Sequence, residues 1–196
     1  MTRTKLGLYK EFFTDRDFER LDLFQLLAER YGIRSAVYPG SYVHVTPAFV
    51  YPLTAFIDSD KRAKKFFADP GLAAFIASRK TYPEEADFNC YPQDYREEIS
   101  ELLGRFDLLI SQYAGFVSQH GKRYLRPGGY LLVNNSHGDA SMAAIDEDFQ
   151  LVAVVKGKNG EYRLTEKDLA SYMVPKKPVE ITRDLLEECQ RGIGYT

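Results

Sequence analysis

Six residues constrain this chain more than any others: Phe106-Asp107-Leu108-Leu109-Ile110-Ser111. They are nearly continuous in apolar character rather than alternating, which is how a strand covered on both faces reads. Such strands are parallel to their neighbours, and parallel neighbours need long crossovers, usually helical. The rest of the chain supplies them. Apolar runs at 35–38, 54–58, 86–91 and 130–133 read as four more strands, with helical spacing between them. Two further strands, 149–156 and 162–164, flank Lys158-Asn159-Gly160, and the Asn-Gly pair marks a hairpin. Alternating strands and helices, then an antiparallel hairpin, predict an α/β fold with one mostly parallel seven-stranded sheet and helices on both faces.

Several local signals fix the ends of elements. Thr14 or Asp15 is expected to cap a helix carrying Phe18, Leu21, Phe24, Leu27, Ala28 and Tyr31, with Gly32 as its stop. The aromatic arm before it, 6–13, is either a helix packed on the domain edge or a partial lid over a ligand. Thr46-Pro47 reads as the cap and first residue of a short helix. Asp60 is placed to cap the helix carrying Ala63, Phe66 and Phe67, whose lysines and arginines form a solvated face. Helical patterns follow at 72–79, through Ile99, Leu102 and Leu103, and over 114–125. Asp139 is expected to cap a short helix through Met142 and Ile145, and a last helix spans 183–191. The expected division is a helical extension at 1–34, the sheet domain at 35–165, and a tail with its helix at 166–196.

At 196 residues, 44% hydrophobic and 28% charged, the chain has the composition of a globular protein. It buries roughly 70% of its unfolded surface on folding and needs neither disulfide nor metal. A net charge of -2 gives no pull towards nucleic acid or anionic membrane. Cys90 and Cys189 are far apart and in no metal-like spacing, and Cys90 reads as a small buried hydrophobe. With no apolar leader in the first ten residues and no membrane-length apolar run, a cytoplasmic location is expected.

Ligands in open parallel sheets bind outside the carboxyl ends of the strands, at the switch in strand order. The residues there are Tyr38-Pro39-Gly40-Ser41, Asp58-Ser59, Asp94-Tyr95, Ser111-Gln112-Tyr113 and 134–137. The glycine turn at 40 with an acid eighteen residues on resembles the start of a nucleotide-binding half. Its second and third glycines are missing, so a plain buried βαβ unit is the alternative. Tyr42 and His44, too large to lie beneath a ligand, either point away from it or touch it with their rings.

The run 106–111, followed by Tyr124-Leu125-Arg126-Pro127-Gly128-Gly129-Tyr130-Leu131-Leu132, resembles the fourth and fifth strand motifs of class I S-adenosylmethionine-dependent methyltransferases. The resemblance extends over 35–164 and implies a Rossmann-like three-layer sandwich with S-adenosyl-L-methionine as cofactor. It implies that Tyr38, Gly40 and Ser41 lie by the methionine portion, and that Asp58 and Ser59 hold the ribose. Asp94 and Tyr95 would then bracket the adenine, with Ser111 near the sulfonium. Tyr113 and His137 are the best-placed base or acceptor-binding groups. The acceptor would be a small molecule or a protein. Nucleic acid is disfavoured, because Ser-Gln-Tyr lacks the paired prolines of enzymes that methylate base amines. A non-catalytic adenosyl- or nucleotide-binding protein and a nicotinamide-dependent oxidoreductase are the other readings. Asp58→Ala is expected to weaken adenosyl-ligand binding with little effect on stability, and Asp60→Ala the reverse.

Overall fold

The computed structural model describes residues 6–158 and 160–196. Five parallel strands form one sheet: β1 (Ser35–Pro39), β2 (Leu53–Ile57), β3 (Asp87–Tyr91), β4 (Phe106–Ser111) and β5 (Leu125–Val133). Their order is β3-β2-β1-β4-β5, so the strand order switches between β1 and β4. β4 has the boundaries its apolar run predicts, and all six of its residues are buried. Side chains of a strand alternate between faces, and here the two faces feed two separate clusters. Ala36, Tyr38, Phe56, Leu108 and Ile110 pack with Phe24, Phe49 and Phe66 on one side. Val37, Ala55, Ile57 and Leu109 pack with Ile99, Val117 and Tyr124 on the other. Three layers follow directly.

The sheet has five strands, not seven. β6 (Val154–Lys158) and β7 (Glu161–Thr165) form the expected antiparallel hairpin, but as a separate two-stranded sheet. Residues 149–153, read as strand, are not in one. Gly160 takes the left-handed turn conformation at φ 80°, while Asn159 lies outside the described residues. Val155, Tyr162 and Leu164 still pack against the larger core cluster.

Local signals fare unevenly. Asp60 caps the helix Lys61–Phe67, its carboxylate accepting from the Arg62 amide at 2.6 Å. Gly32, at φ 65°, ends the helix Leu21–Tyr31. That helix begins at Leu21, after Arg20, and neither Thr14 nor Asp15 caps it. The preceding arm is helical, a turn at Gly7–Tyr9 running into a π-turn at Lys10–Thr14, and packs Tyr9 and Phe13 into the core. Pro47 opens a one-turn helix, Pro47–Val50, but Thr46 does not cap it: its hydroxyl pairs with the buried Tyr9 hydroxyl at 2.7 Å. Only a 3-10 turn forms at Ser100–Leu102, and the helix read over 114–125 shrinks to Val117–Gly121 and a 3-10 turn. The last helix, Arg183–Cys189, is capped by Thr182 and ends on a left-handed Gln190. Cys90 is half-buried and unpaired by disulfide, and burial pushes its thiol up to about 12, with the Asp58 charge adding to the rise. That suits a packing role.

Candidate functional site

The carboxyl ends of β1, β2 and β4 converge at the switch in strand order, and each does something there that its sequence alone does not show. Gly40 leaves β1 at φ 66°, a conformation open to glycine. A Cβ at this position would collide with the Ala114 methyl, so the turn after β4 packs directly on the glycine. Gly40 is needed by the chain's own packing, not as an empty cradle. Tyr38 and His44 turn inwards. His44 stacks on Phe13 with ring centroids 4.2 Å apart, and its Nε2 lies 3.0 Å from the Glu19 carbonyl. A carbonyl only accepts, so Nε2 carries the proton and Nδ1 accepts from the Tyr38 hydroxyl at 3.3 Å. Burial lowers the His44 pKa to about 3, with the Arg20 charge pushing the same way. His44 is a neutral core residue.

Tyr42 lies in the left-handed region at φ 50°, its ring between Phe12 and the Arg62 guanidinium. Its hydroxyl is buried with no hydrogen-bond partner among the described residues. Its amide donates to Asp58 Oδ2 at 2.6 Å, and the Asp60 amide donates to Asp58 Oδ1 at 2.8 Å. Asp58 therefore ties the β1 turn to the end of β2. Each of these oxygens keeps a second lone pair for a ligand hydroxyl. This changes what its removal does. Asp58→Ala is expected to cost about 2 kcal/mol of stability even without ligand, because two bonds to a carboxylate are lost. Urea denaturation checks this, and a midpoint unchanged from the parent would show that the turn does not depend on Asp58.

Beyond β3, Asp94 is held by Arg96, which lowers its pKa to about 2 through side-chain and backbone hydrogen bonds. Tyr95 is half-buried, near Gly115, with its ring against His120. Ser111 does not offer its hydroxyl to the crevice. It donates to Asp139, which also accepts from the Ser118 hydroxyl and from the Ser118 amide at 3.0 Å. Asp139 is not the expected cap: Gly138 holds that position at φ 90°, and Asp139 turns its carboxylate inwards to join β4 to two helices. Burial raises its pKa against those hydrogen bonds. Ser59 is exposed, as is His137, whose Nδ1 pairs with the Ser136 hydroxyl at 3.0 Å. Neither His137 nor His120 touches Tyr113 in any ring contact or hydrogen bond among the described residues.

Tyr113 is met from an unexpected side. Arg20 donates to Gln112 Oε1 at 2.5 Å and to the Tyr113 hydroxyl at 2.8 Å, and its guanidinium packs over the rings of Phe18 and Tyr113. Arg20 and Tyr113 are both left-handed, at φ 58° and 63°. No motif marks Arg20; only the fold brings it here.

A cavity of about 920 Å³ lies not at this crevice but along the outer edge of β5. Residues 128–134 all line it, as do 148–155 on the opposite wall. Consecutive residues of a strand cannot all point their side chains one way, so the strand's edge forms this wall. Arg20 and Gln112 stand where it meets the strand ends. Among the described residues, no group of three or more His, Cys, Asp or Glu could hold a metal ion, and no helix is long and apolar enough to cross a membrane.

Tested against an adenosyl ligand, the donor set fits in chemistry. Asp58 and Ser59 can take hydroxyls, Tyr95 offers an aromatic face, and Arg20 offers a cation. The glycine turn itself is filled by Ala114.

No family profile and no curated protein matches the chain by sequence. Among solved structures, it is similar to a Klebsiella pneumoniae protein described as an O-methyltransferase, at TM-score 0.51 and 13% identity, over 74% of this chain and 76% of that one. Weaker likenesses, both at TM-score 0.48 and 14% identity, are to two further proteins. One is a methyltransferase from Geobacter sulfurreducens, over 82% of this chain and 87% of that one. The other is the O-methyltransferase TomG from Streptomyces achromogenes, solved with its methyl donor bound, over 74% and 76%. A parallel sheet ordered β3-β2-β1-β4-β5, the antiparallel hairpin after it and the first of these likenesses agree: the chain has the class I S-adenosylmethionine-dependent methyltransferase fold.

Proposed function

We propose that the chain binds S-adenosyl-L-methionine at the crevice between β1 and β4 and transfers its methyl group to a small-molecule or protein acceptor. The observation that carries this reading is the acid at the end of β2, Asp58, which braces the β1 turn while keeping lone pairs for a ribose. In this reading Tyr38, Gly40 and Ser41 shape the floor, Asp58 and Ser59 hold the ribose, and Asp94 and Tyr95 flank the adenine. Ser111 supports the floor through Asp139. Tyr113 and His137 face the acceptor. S-adenosylmethionine, when bound, supplies a methyl group already activated on a sulfonium, so the protein's work is to orient the acceptor and exclude water.

One observation favours a second reading, an adenosyl-binding protein without transfer activity. His44 is locked neutral in the core, and His137 pairs with a neighbouring serine, so no imidazole is assembled with Tyr113. A nicotinamide-dependent oxidoreductase is the weakest reading, since the turn has one glycine.

Thermal unfolding separates them. S-adenosylhomocysteine at a hundred times its dissociation constant is expected to stabilise the fold by about 2.7 kcal/mol, a rise of roughly 5–10 °C for a chain this size. NAD is expected to give none. A flat response to the adenosyl ligand up to millimolar concentration would remove the cofactor assignment. Binding without methyl transfer to any of a panel of small-molecule and protein acceptors would favour the second reading.

A further inference from the structure

Arg20 is held by two hydrogen bonds and two aromatic rings, and no local motif accounts for it. Its backbone is left-handed without being glycine, as is that of Tyr113, which it contacts. Such a conformation is strained for a residue other than glycine, and strain of this kind persists where the surroundings over-determine it, often at ligand sites. The side chain also packs against a pair of touching rings, with the guanidinium carbon 4.0 Å from the Phe18 ring centroid and 5.2 Å from that of Tyr113.

What is missing is an anion. Arg30, Arg34, Arg62, Arg79, Arg96 and Arg126 each pair with a carboxylate. Arg20 forms no ion pair with a described carboxylate and is held by two neutral oxygens, Gln112 Oε1 and the Tyr113 hydroxyl. Among the described residues, two of its five N–H groups are used, leaving three. It stands at the carboxyl end of β4, across the strand-order switch from the β1 turn. Its charge reaches both Tyr38 and His44. A half-buried, pre-positioned guanidinium with free donors is a built receptor for a planar anion such as a carboxylate.

The site therefore has two chemical ends. Asp58, on the β2 side, accepts hydroxyls; Arg20, on the β4 side, donates to an acid. We infer that Arg20 holds the carboxylate of the cofactor's amino-acid portion, an inference that rests on the adenosyl reading above. It also accounts for the reduced glycine turn. With Ala114 packed on Gly40 and Tyr42 and Val43 following, the β1 turn cannot bring a run of bare backbone up to that carboxylate, and the side chain just before the helix Leu21–Tyr31 supplies the charge instead.

Two ligands that differ only at this end test it. S-adenosylhomocysteine carries the amino acid; 5′-methylthioadenosine has the same adenosyl thioether without it. In calorimetric titrations of the whole chain, the parent is expected to prefer S-adenosylhomocysteine. Arg20→Gln should weaken that ligand roughly 10- to 100-fold, the loss of a charge-assisted pair, and leave methylthioadenosine within about twofold. Arg20→Lys, which keeps the charge and loses the fork, should fall between. Equal S-adenosylhomocysteine affinity in parent and Arg20→Gln would overturn the assignment. So would an equal loss of both ligands, which would mean that Arg20 acts through the fold. Binding of neither ligand by the parent would instead remove the adenosyl reading on which the inference stands.

Discussion

His44→Phe will be less stable than the parent at pH 7 and will lose less stability on acidification. The stacked ring against Phe13 is kept in this variant, but the Tyr38 hydroxyl and the Glu19 carbonyl lose their partners. Two unmet groups, one buried and one partly buried, cost about 2 kcal/mol. The pH effect has a definite sign. In the folded protein the imidazole is held down to about 3 from its ordinary 6.5, chiefly by burial. The unfolded chain therefore takes up the proton first. The stability due to a neutral His44 is fully present above pH 6.5 and is lost as the pH falls towards 3. At roughly 1.4 kcal/mol per pH unit, the parent gives up about 3 kcal/mol between pH 6.5 and 4 by this route alone. Urea denaturation at pH 7, 5 and 4 measures both effects. Parallel losses in parent and variant would show that His44 is not the titrating group.

Asp139→Ala is expected to cost about 3 kcal/mol, the largest loss from any single polar side chain at the site. It strands the Ser111 hydroxyl, the Ser118 hydroxyl and the Ser118 amide, all buried, and a buried donor without an acceptor bears its full desolvation penalty. Asp139→Asn keeps an acceptor oxygen and should cost less. Here the linkage runs the other way. Burial raises the Asp139 pKa above its ordinary 3.8, so the stability from its neutral form is complete below that value and is lost as pH rises through the folded pKa. The gap between parent and Asp139→Asn should accordingly be wider at pH 4 than at pH 7. A gap that widens towards neutral pH would mean that the hydrogen bonds, not burial, dominate the carboxyl.

Much of the fold is legible in the sequence where one local rule decides the outcome. β4 is nearly continuous in apolar residues over six positions bounded by turn signals, which a strand covered on both faces requires. Asp60 precedes a helix whose first amides need an acceptor, and it provides one. The misses all involve contacts between distant segments. Asp139 has the sequence context of a cap, yet Gly138 takes the left-handed cap position and turns the acid towards β4. Residues 114–116 have helical spacing but are drawn out of the helix so that Ala114 can pack on Gly40. Asp58 stands at the expected strand end, and its spacing says nothing of the two amides it already accepts. Arg20 carries no signal at all, because its hydrogen-bond partners are more than ninety residues away and its backbone conformation is unusual for arginine. The strands of the hairpin are visible in the sequence, but period-two alternation records which face a strand buries, not whether its edge is joined.

That edge has a kinetic consequence. In a parallel ladder, successive residues direct their amides to opposite sides, and among the described residues β5 pairs with β4 alone. Amide hydrogen exchange along 130–133 should alternate: residues whose N–H faces β4 exchange only when the sheet opens, while their neighbours, facing the cavity, exchange quickly in the intact fold. The alternation reports directly whether the edge of β5 is bare in solution.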